Sequence, residues 1–470
     1  MLKVVNTRSW EKEEFKSIES KKVRFYHCGP TVYWNQHIGN LRAVVLVDLI
    51  RRSFSFLGYD VKLVRNYTDF GHLTSDADIG EDKMEKASKR ESLSPQEIAN
   101  KYISSYEKDI RLLNTIEPTI QARATDYLPQ MIDIIGTLIK KGFAYLTEKA
   151  VYFEIEKFPT YHALSHHIAE HNIEGAGHGD ARDKDKKNSS DFVLWFFKTG
   201  DHKNALQFWP SPFVSKAVEN GNGFPGWHIE CSAMVLGTLG ETIDIHMGGV
   251  EHISIHHTNE IAQSESFTGK PLANYWLHNE HLMLNGKKIS KSDGNMYLLS
   301  EITDKGYDPI DLRYFFLQSH YRSKQNFTWE ALDGSKSARN RLIAQYKKNI
   351  TESNAQGTPL KDYINKFTTE LENDFNIPSA LGMLWDLVRS GENPADINAT
   401  IDIIDSVFGL KIRDYATSTA NDPQVTNNEI LKLIEERNKA RANKNWQKSD
   451  DIRNILENKY DYKVVDTKNN

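Results

Sequence analysis

The stretch FYHCGPTVYWNQHIGN (Phe25–Asn40) decides the fold, because an apolar run gives way to a glycine-containing turn and then to a segment of different periodicity. Residues 23–27 predict a short buried strand, and 41–57 place apolar side chains at helical spacing with arginines on the other side. Gly58 is a typical helix stop, and 60–68 predicts the next strand. Strand, turn, helix and strand in this order indicate a parallel βαβ unit.

The carboxyl ends of parallel strands are where such sheets bind ligands, and Cys28 and His37 both fall at that end. Further along, 96–145 predicts helices, 227–300 predicts a second α/β stretch, and the chain from about 330 onward predicts helices. The sequence therefore predicts an α/β protein with a Rossmann-like parallel sheet followed by a helical part.

Composition excludes several classes of protein. The 470 residues contain two cysteines, Cys28 and Cys231, too few for a disulfide framework and suited to a reducing compartment. The net charge of −5 argues against a protein that coats nucleic acid nonspecifically. No apolar run reaches membrane-spanning length, and the first residues lack an apolar signal core. We expect a cytoplasmic protein without a membrane partner.

Four side chains could share a metal ion although they are far apart in the chain. His256 and Glu260 are spaced i and i+4, so on a helix they project from one face. Thiolate, imidazole and carboxylate all bind zinc, and Cys28 and Cys231 would complete a tetrahedral set. Four further histidines compete as ligands and periodicity cannot rank them: His228, His246, His252 and His257.

Two segments suit a polyphosphate. His37-Ile38-Gly39-Asn40 precedes a helix, where backbone N–H groups and the helix dipole favour an anion. NGKKISKSDGN (285–295) carries lysines around a small serine loop, which could close over phosphates and stabilise a leaving pyrophosphate. Its glycine spacing is not that of a Walker loop. An ordinary capped turn and a solvated basic loop are the alternatives.

Taken together in order, these stretches resemble the cysteinyl-tRNA synthetases, a family of class I aminoacyl-tRNA synthetases. His37–Asn40 is similar to the HIGH signature, and Lys288–Ser292 is similar to KMSKS. The remaining similar segments are CGPTVY (28–33), DFVLW (191–195), PGWHIECSAM (225–234), DIHMGG (244–249), HHTNEIAQSE (256–265), RYFFLQSHYRS (313–323) and DFNIPSAL (374–381).

The resemblance implies an ATP-dependent ligase. Its cysteine substrate attacks ATP, releases pyrophosphate, and passes from the adenylate to the 3′ end of cysteine tRNA. The implied zinc, one ion per chain, is held by Cys28, Cys231, His256 and Glu260, and Mg²⁺ accompanies ATP. The other implied roles are catalysis by His37, Asn40, Lys288 and Lys291; ATP contact by His37, Gly39, Asn40, Gly249 and Lys291; and cysteine contact by Thr31, Thr68 and Trp227.

The resemblance also implies a domain order and an RNA-binding end. The order is a catalytic domain in two halves (1–120 and 223–271), a connective insertion (121–222), a stem-contact region (272–332), a helical bundle (333–415) and an anticodon-binding domain (416–470). Arg441, Lys444 and Trp446 would contact tRNA, because basic and aromatic side chains suit phosphates and unpaired bases. We expect a monomer.

Several positions depart from the family pattern. Asparagine stands at the fourth HIGH position (Asn40), Trp34 replaces an aspartate, and Met247 replaces a glycine. Asn40 can donate to phosphate but cannot be cationic. Two other functions therefore stay open: a ligase that joins cysteine to an amino sugar, and a noncatalytic relative that only binds tRNA or zinc. Cysteine-dependent pyrophosphate exchange separates an enzyme from the noncatalytic relative.

Overall fold

The computed structural model describes residues 1–71, 82–165, 183–289, 296–353, 355–418 and 445–460, together with 433, 436–437 and 440–441. In the first half, the strands are β1 (Lys3–Asn6), β2 (Glu11–Glu14), β3 (Lys22–His27), β4 (Asp60–Tyr67) and β5 (Ile120–Arg123), and the helices are α1 (Ile38–Phe56), α2 (Lys83–Glu91), α3 (Pro95–Leu112) and α4 (Leu128–Lys140). The middle contains β6 (Ala144–Leu146), β7 (Ala150–Phe153), β8 (Phe192–Phe197), β9 (Gly223–Pro225), α5 (Ile229–Thr238), β10 (Ile243–Gly249), α6 (His256–Thr268) and β11 (Ala273–Asn279).

The remainder contains three short strands, β12 (Leu282–Leu284), β13 (Lys287–Lys288) and β14 (Gln325–Phe327), and then mostly helices. These helices are α7 (Leu299–Asp304), α8 (Pro309–Leu317), α9 (Trp329–Glu352), α10 (Lys361–Glu372), α11 (Ile377–Val388), α12 (Pro394–Phe408), α13 (Ile412–Thr417) and a last one at Trp446–Tyr460.

Within the described residues, the central sheet has five parallel strands in the order β11–β10–β3–β4–β5. Strands β4 and β5 extend the sheet on one side of β3, and β10 and β11 later extend it on the other side. The strand order therefore reverses between β3 and β10. Such a switch point opens a crevice at the carboxyl ends of the two strands. The predicted α/β class and the parallel β3–α1–β4 unit are confirmed.

The prediction of helices over 96–145 is wrong in its middle, where β5 forms the edge of the central sheet. The segment Ile120–Arg123 pairs in parallel with β4, after Thr119 N–H donates to the Leu63 carbonyl at 2.8 Å. A four-residue, half-exposed edge strand has little apolar periodicity of its own, so neighbouring helices hide it in the sequence.

An antiparallel sheet, β6–β7–β8–β9, lies in the chain between β5 and β10. Its strand β8 is buried along its whole length, which places the segment DFVLW in a packed core. Most of the glycine- and charge-rich segment near 168–190 lies outside the described residues.

A buried carboxylate ties the N-terminal strand to the helical part. Asp374 accepts hydrogen bonds from Val5 N–H (2.9 Å), Tyr321 Oη (2.7 Å) and Arg322 Nε (2.7 Å), and its own backbone is left-handed at φ 61°. These contacts place the predicted RYFFLQSHYRS and DFNIPSAL segments in one network. None of the described helices is both long and apolar enough to cross a bilayer.

Candidate active site and metal cluster

The four predicted metal ligands come together from four separate places in the chain. Cys28 follows β3, Cys231 lies in the first turn of α5, and His256 and Glu260 lie one turn apart on α6. Their ligand atoms all lie within 4.8 Å of one another. Two sulfurs, one imidazole nitrogen and one carboxylate form a donor set that suits zinc. The cluster could therefore hold such an ion.

Hydrogen bonds fix the orientation of the imidazole and the carboxylate. His256 Nε2 lies 3.0 Å from Glu260 Oε1, while His256 Nδ1 lies 2.7 Å from Nδ1 of the buried His228. The other carboxylate oxygen, Glu260 Oε2, lies 2.8 Å from His246 Nε2. A partner on the far nitrogen of a metal-binding histidine sets its tautomer and ring orientation. His228 thus holds the His256 ring in its orientation, a role that the sequence could not assign.

Electrostatics favour an ionised carboxylate here. Burial alone would raise the pKa of Glu260, but His246 and His256 outweigh burial and lower it to about 2. Burial and the neighbouring Cys231 raise the pKa of the Cys28 thiol well above its usual value. Crowding two thiols beside a carboxylate makes a second negative charge costly, and a bound cation would remove that cost.

A second grouping shares two of these ligands. Cys28 and Glu260 also lie within 4.8 Å of His246 and His257. In this grouping, Cys28 Sγ lies 3.4 Å from His257 Nε2, and His257 Nδ1 lies 2.7 Å from His278 Nε2 outside it. Geometry alone therefore leaves His246 and His257 as possible metal ligands besides His256.

A cavity of about 670 Å³ opens beside the cluster at the switch point of the sheet. Seven of the predicted residues line it: Cys28, Thr31, His37, Gly39, Asn40, Gly249 and Lys288. Thr68 lies next to this wall, since it forms a parallel bridge with Thr31. Trp227 stacks on the ring of the His256 ligand, with centroids 5.2 Å apart.

The signature histidine caps its own helix. His37 Nδ1 accepts hydrogen bonds from Gly39 N–H (3.1 Å) and Asn40 N–H (3.3 Å) at the start of α1. Because Nδ1 accepts, the neutral ring carries its proton on Nε2. The backbone N–H groups of Gly39 and Asn40, which were expected to meet a phosphate, are thus already engaged by the His37 ring. The local cap that the sequence offered as an alternative is present.

The structure describes only part of the lysine loop and of the predicted tRNA contacts. Lys291 and Lys444 lie outside the described residues. Trp446 begins the last helix with 59% of its surface exposed, and Arg441 lies in a short helical stretch before it. Sequence reasoning missed Lys83, Tyr106, Asn279 and His27, which also line the cavity. Lys83, Tyr106 and Asn279 belong to none of the recognised motifs, and His27, although adjacent to Cys28, was taken only as part of the buried strand.

The fold is shared with class I aminoacyl-tRNA synthetases. A solved structure of methionyl-tRNA synthetase from Mycobacterium tuberculosis, bound by methionyl-adenylate, superimposes with a TM-score of 0.58 at 14% identity and covers 83% of this chain and 90% of that one. The sequence matches the family described as "tRNA synthetases class I (C) catalytic domain" over residues 14–337.

Two curated relatives match nearly the whole chain. The cysteine–tRNA ligase of Treponema denticola is 41% identical, covering 97% of this chain and 96% of the relative. Cysteine–tRNA ligase 1 of Burkholderia lata is 42% identical and covers 97% and 93%. The chain therefore belongs to the cysteinyl-tRNA synthetase family and is a ligase, as its motifs predicted.

Proposed function

We propose that this enzyme joins L-cysteine to its tRNA in two steps. The cysteine carboxylate attacks the α-phosphate of ATP, forming cysteinyl adenylate and releasing pyrophosphate, and the cysteinyl group then passes to the 3′-terminal adenosine. One observation carries the proposal: the wall of a single cavity holds the sulfur of Cys28, the signature residues His37 and Asn40, and Lys288. An amino acid bound at the cluster would thus lie beside the phosphates of ATP.

His37 acts on the phosphates through its ring. Its Nε2–H donates to phosphate oxygens, while Nδ1 stays fixed by the backbone of α1. Asn40 adds an amide donor. Lys288 lies on the exposed strand β13 and lines the same cavity, so its ammonium stabilises the charge on the leaving pyrophosphate. Lys291 shares this role by its position in the motif.

The adenosine of ATP faces the glycine-rich end of β10. Gly249 has no side chain and lines the cavity, so a ligand can approach its backbone closely. Mg²⁺ accompanies ATP as its counterion.

Cys28, Cys231, His256 and Glu260 hold one zinc ion per chain. The other grouping, with His246 and His257, supplies one sulfur instead of two and leaves Cys231 as a buried thiol beside it. When bound, zinc supplies a soft cation that prefers a substrate thiolate to the hydroxyl of serine. Thr31, Thr68 and Trp227 enclose the rest of the cysteine, with Trp227 held against the His256 ring.

The C-terminal end contacts tRNA. The exposed Trp446 stacks on an unpaired base, and Arg441 and Lys444 meet phosphates. The enzyme acts as a cytoplasmic monomer.

Cysteine-dependent exchange of pyrophosphate into ATP tests the first step. We expect exchange with cysteine, little with serine, and loss after chelation. A Cys231→Ser variant should lose zinc and exchange together, and Ser232→Ala is its matched control, because the Ser232 hydroxyl points instead to Gln263 Oε1 at 2.9 Å. Normal exchange by Cys231→Ser with no bound zinc would refute the metal role. Charging of cysteine tRNA tests the second step and excludes an amino-sugar acceptor.

A further inference from the structure

A buried arginine beside the cavity has a guanidinium with no hydrogen-bond partner among the described residues. Arg65 on β4 is 0% exposed, and among the described residues no hydrogen-bond acceptor meets its Nε, Nη1 or Nη2. Arg42 and Arg313 are equally buried but are paired: Arg313 Nη2 meets Asp48 Oδ2 at 2.6 Å, and Arg42 Nη2 donates to the Ser323 carbonyl at 3.0 Å. An unpaired buried cation is strongly unfavourable, so Arg65 calls for an anion.

Two more polar atoms lie on the same face of the sheet. His27 is the register partner of Arg65 across β3 and β4, so both side chains project to one side. His27 Nδ1 and the hydroxyl of Tyr106 on α3 are also buried and meet no partner among the described residues. Tyr106 packs edge-on to Tyr67 with centroids 5.9 Å apart, and Tyr67 shares the face of Arg65, two residues further along β4.

Arg65 gives this group a positive charge. Burial raises the pKa of Tyr106, and the Arg65 guanidinium opposes that rise because it stabilises a nearby negative charge. The closest acid on α3, Glu107, is engaged elsewhere: Oε1 accepts from Tyr67 Oη at 3.3 Å and Oε2 lies 3.8 Å from Arg111. A guanidinium with two further donors, and no carboxylate bound to it among the described residues, is the pattern of an oxyanion site.

This group borders the cavity. His27, Gly29 and Tyr106 line the cavity wall, and a Cβ on Gly29 would lie 3.1 Å from Arg65 Cγ. We propose that Arg65, His27 and Tyr106 form a second anion site, distinct from that of His37, which binds a phosphate group entering from the cavity. The planar guanidinium matches phosphate oxygens in pairs. The identity of the phosphate rests on the proposed function: the phosphate belongs either to ATP or to the 3′ end of tRNA.

Titration with inorganic phosphate at constant ionic strength, followed by the thermal midpoint, tests the site itself. Phosphate should raise the midpoint of the unaltered enzyme, and Arg65→Met should abolish most of that rise. Without phosphate, Arg65→Met should melt no lower than the parent, since it removes a buried unpaired charge. His37→Gln, which alters the other site, should keep most of the phosphate response. An unchanged response in Arg65→Met would overturn the proposal.

A second variant covers the case in which Arg65→Met does not fold. Arg65→Lys keeps the charge but loses the paired donors, so phosphate should bind about tenfold more weakly. Unchanged phosphate affinity in Arg65→Lys would also overturn the site.

Steady-state kinetics with Arg65→Lys identify the source of the phosphate. A rise of about tenfold in the KM for ATP during pyrophosphate exchange assigns the site to the triphosphate. An unchanged exchange with a similar rise in the KM for tRNA assigns it to a phosphodiester. If neither KM changes, the assignment to a substrate phosphate is wrong. Absence of any cysteine-dependent exchange by the unaltered enzyme would instead refute the proposed function. The phosphate titration would still test the Arg65 site independently of that result.

Discussion

Replacing His228 with phenylalanine tests whether the cluster is organised for a metal. His228 is 1% exposed and lies 2.7 Å from the far nitrogen of His256, and its ring also stacks on Trp227 with centroids 4.7 Å apart. Phenylalanine keeps a planar ring that can stack on Trp227, at a somewhat larger volume, but removes the hydrogen bond.

The expected loss follows from that single hydrogen bond. Partners of metal-binding histidines contribute roughly 10- to 100-fold to metal affinity, which is about 1.4–2.7 kcal/mol. Competition between the protein and a chromophoric zinc chelator measures the affinity directly. The control is His202→Phe, since that ring packs on Phe196 and Phe224 in the β6–β9 sheet, and its zinc affinity should not change. Zinc affinity within twofold of the parent for His228→Phe would refute the supporting role assigned to His228.

Three further predictions concern the signature turn, the Asp374 carboxylate and the partly buried acid Asp109. Gly39→Ala should lower pyrophosphate exchange at least about tenfold, because its Cβ would lie 3.0 Å from the His37 ring and 3.2 Å from Ile289; near-normal exchange would contradict this. Asp374→Ala should lower the free energy of unfolding by about 1–3 kcal/mol in urea titrations, because it leaves the buried Tyr321 hydroxyl without its acceptor while the half-exposed Arg322 regains water; no measurable loss would count against this network. Burial raises the pKa of Asp109 to about 6, so the folded state holds an extra proton between its unfolded pKa near 4 and about 6, and stability declines as pH rises through that window. Asp109→Asn should flatten this decline and stabilise the protein at pH 7 by roughly 2 kcal/mol, and an unaltered pH profile would show that Asp109 is not the group responsible.

Local patterns were predictable because they depend on neighbours in the chain. The β3–α1–β4 unit follows from apolar spacing, and the spacing of His256 and Glu260 places both on one face of α6. The order of the motifs was enough to indicate the family, which the relatives confirm. The short edge strand β5 was missed because four residues that pair with β4 carry no period of their own.

The sequence by itself thus determined the class of fold, the family and the kinds of donor atom available for a metal. Only the tertiary structure decided which donors meet, because Cys28 and Cys231 approach each other through the pairing of β3 with β10 and the packing of α5, not through any local spacing. It also decided that His37 caps its own helix, that His228 supports His256, and that Arg65 is buried without a partner among the described residues. Hydrogen bonds and charge interactions act over a few ångströms in space, and distance along the chain does not report that separation.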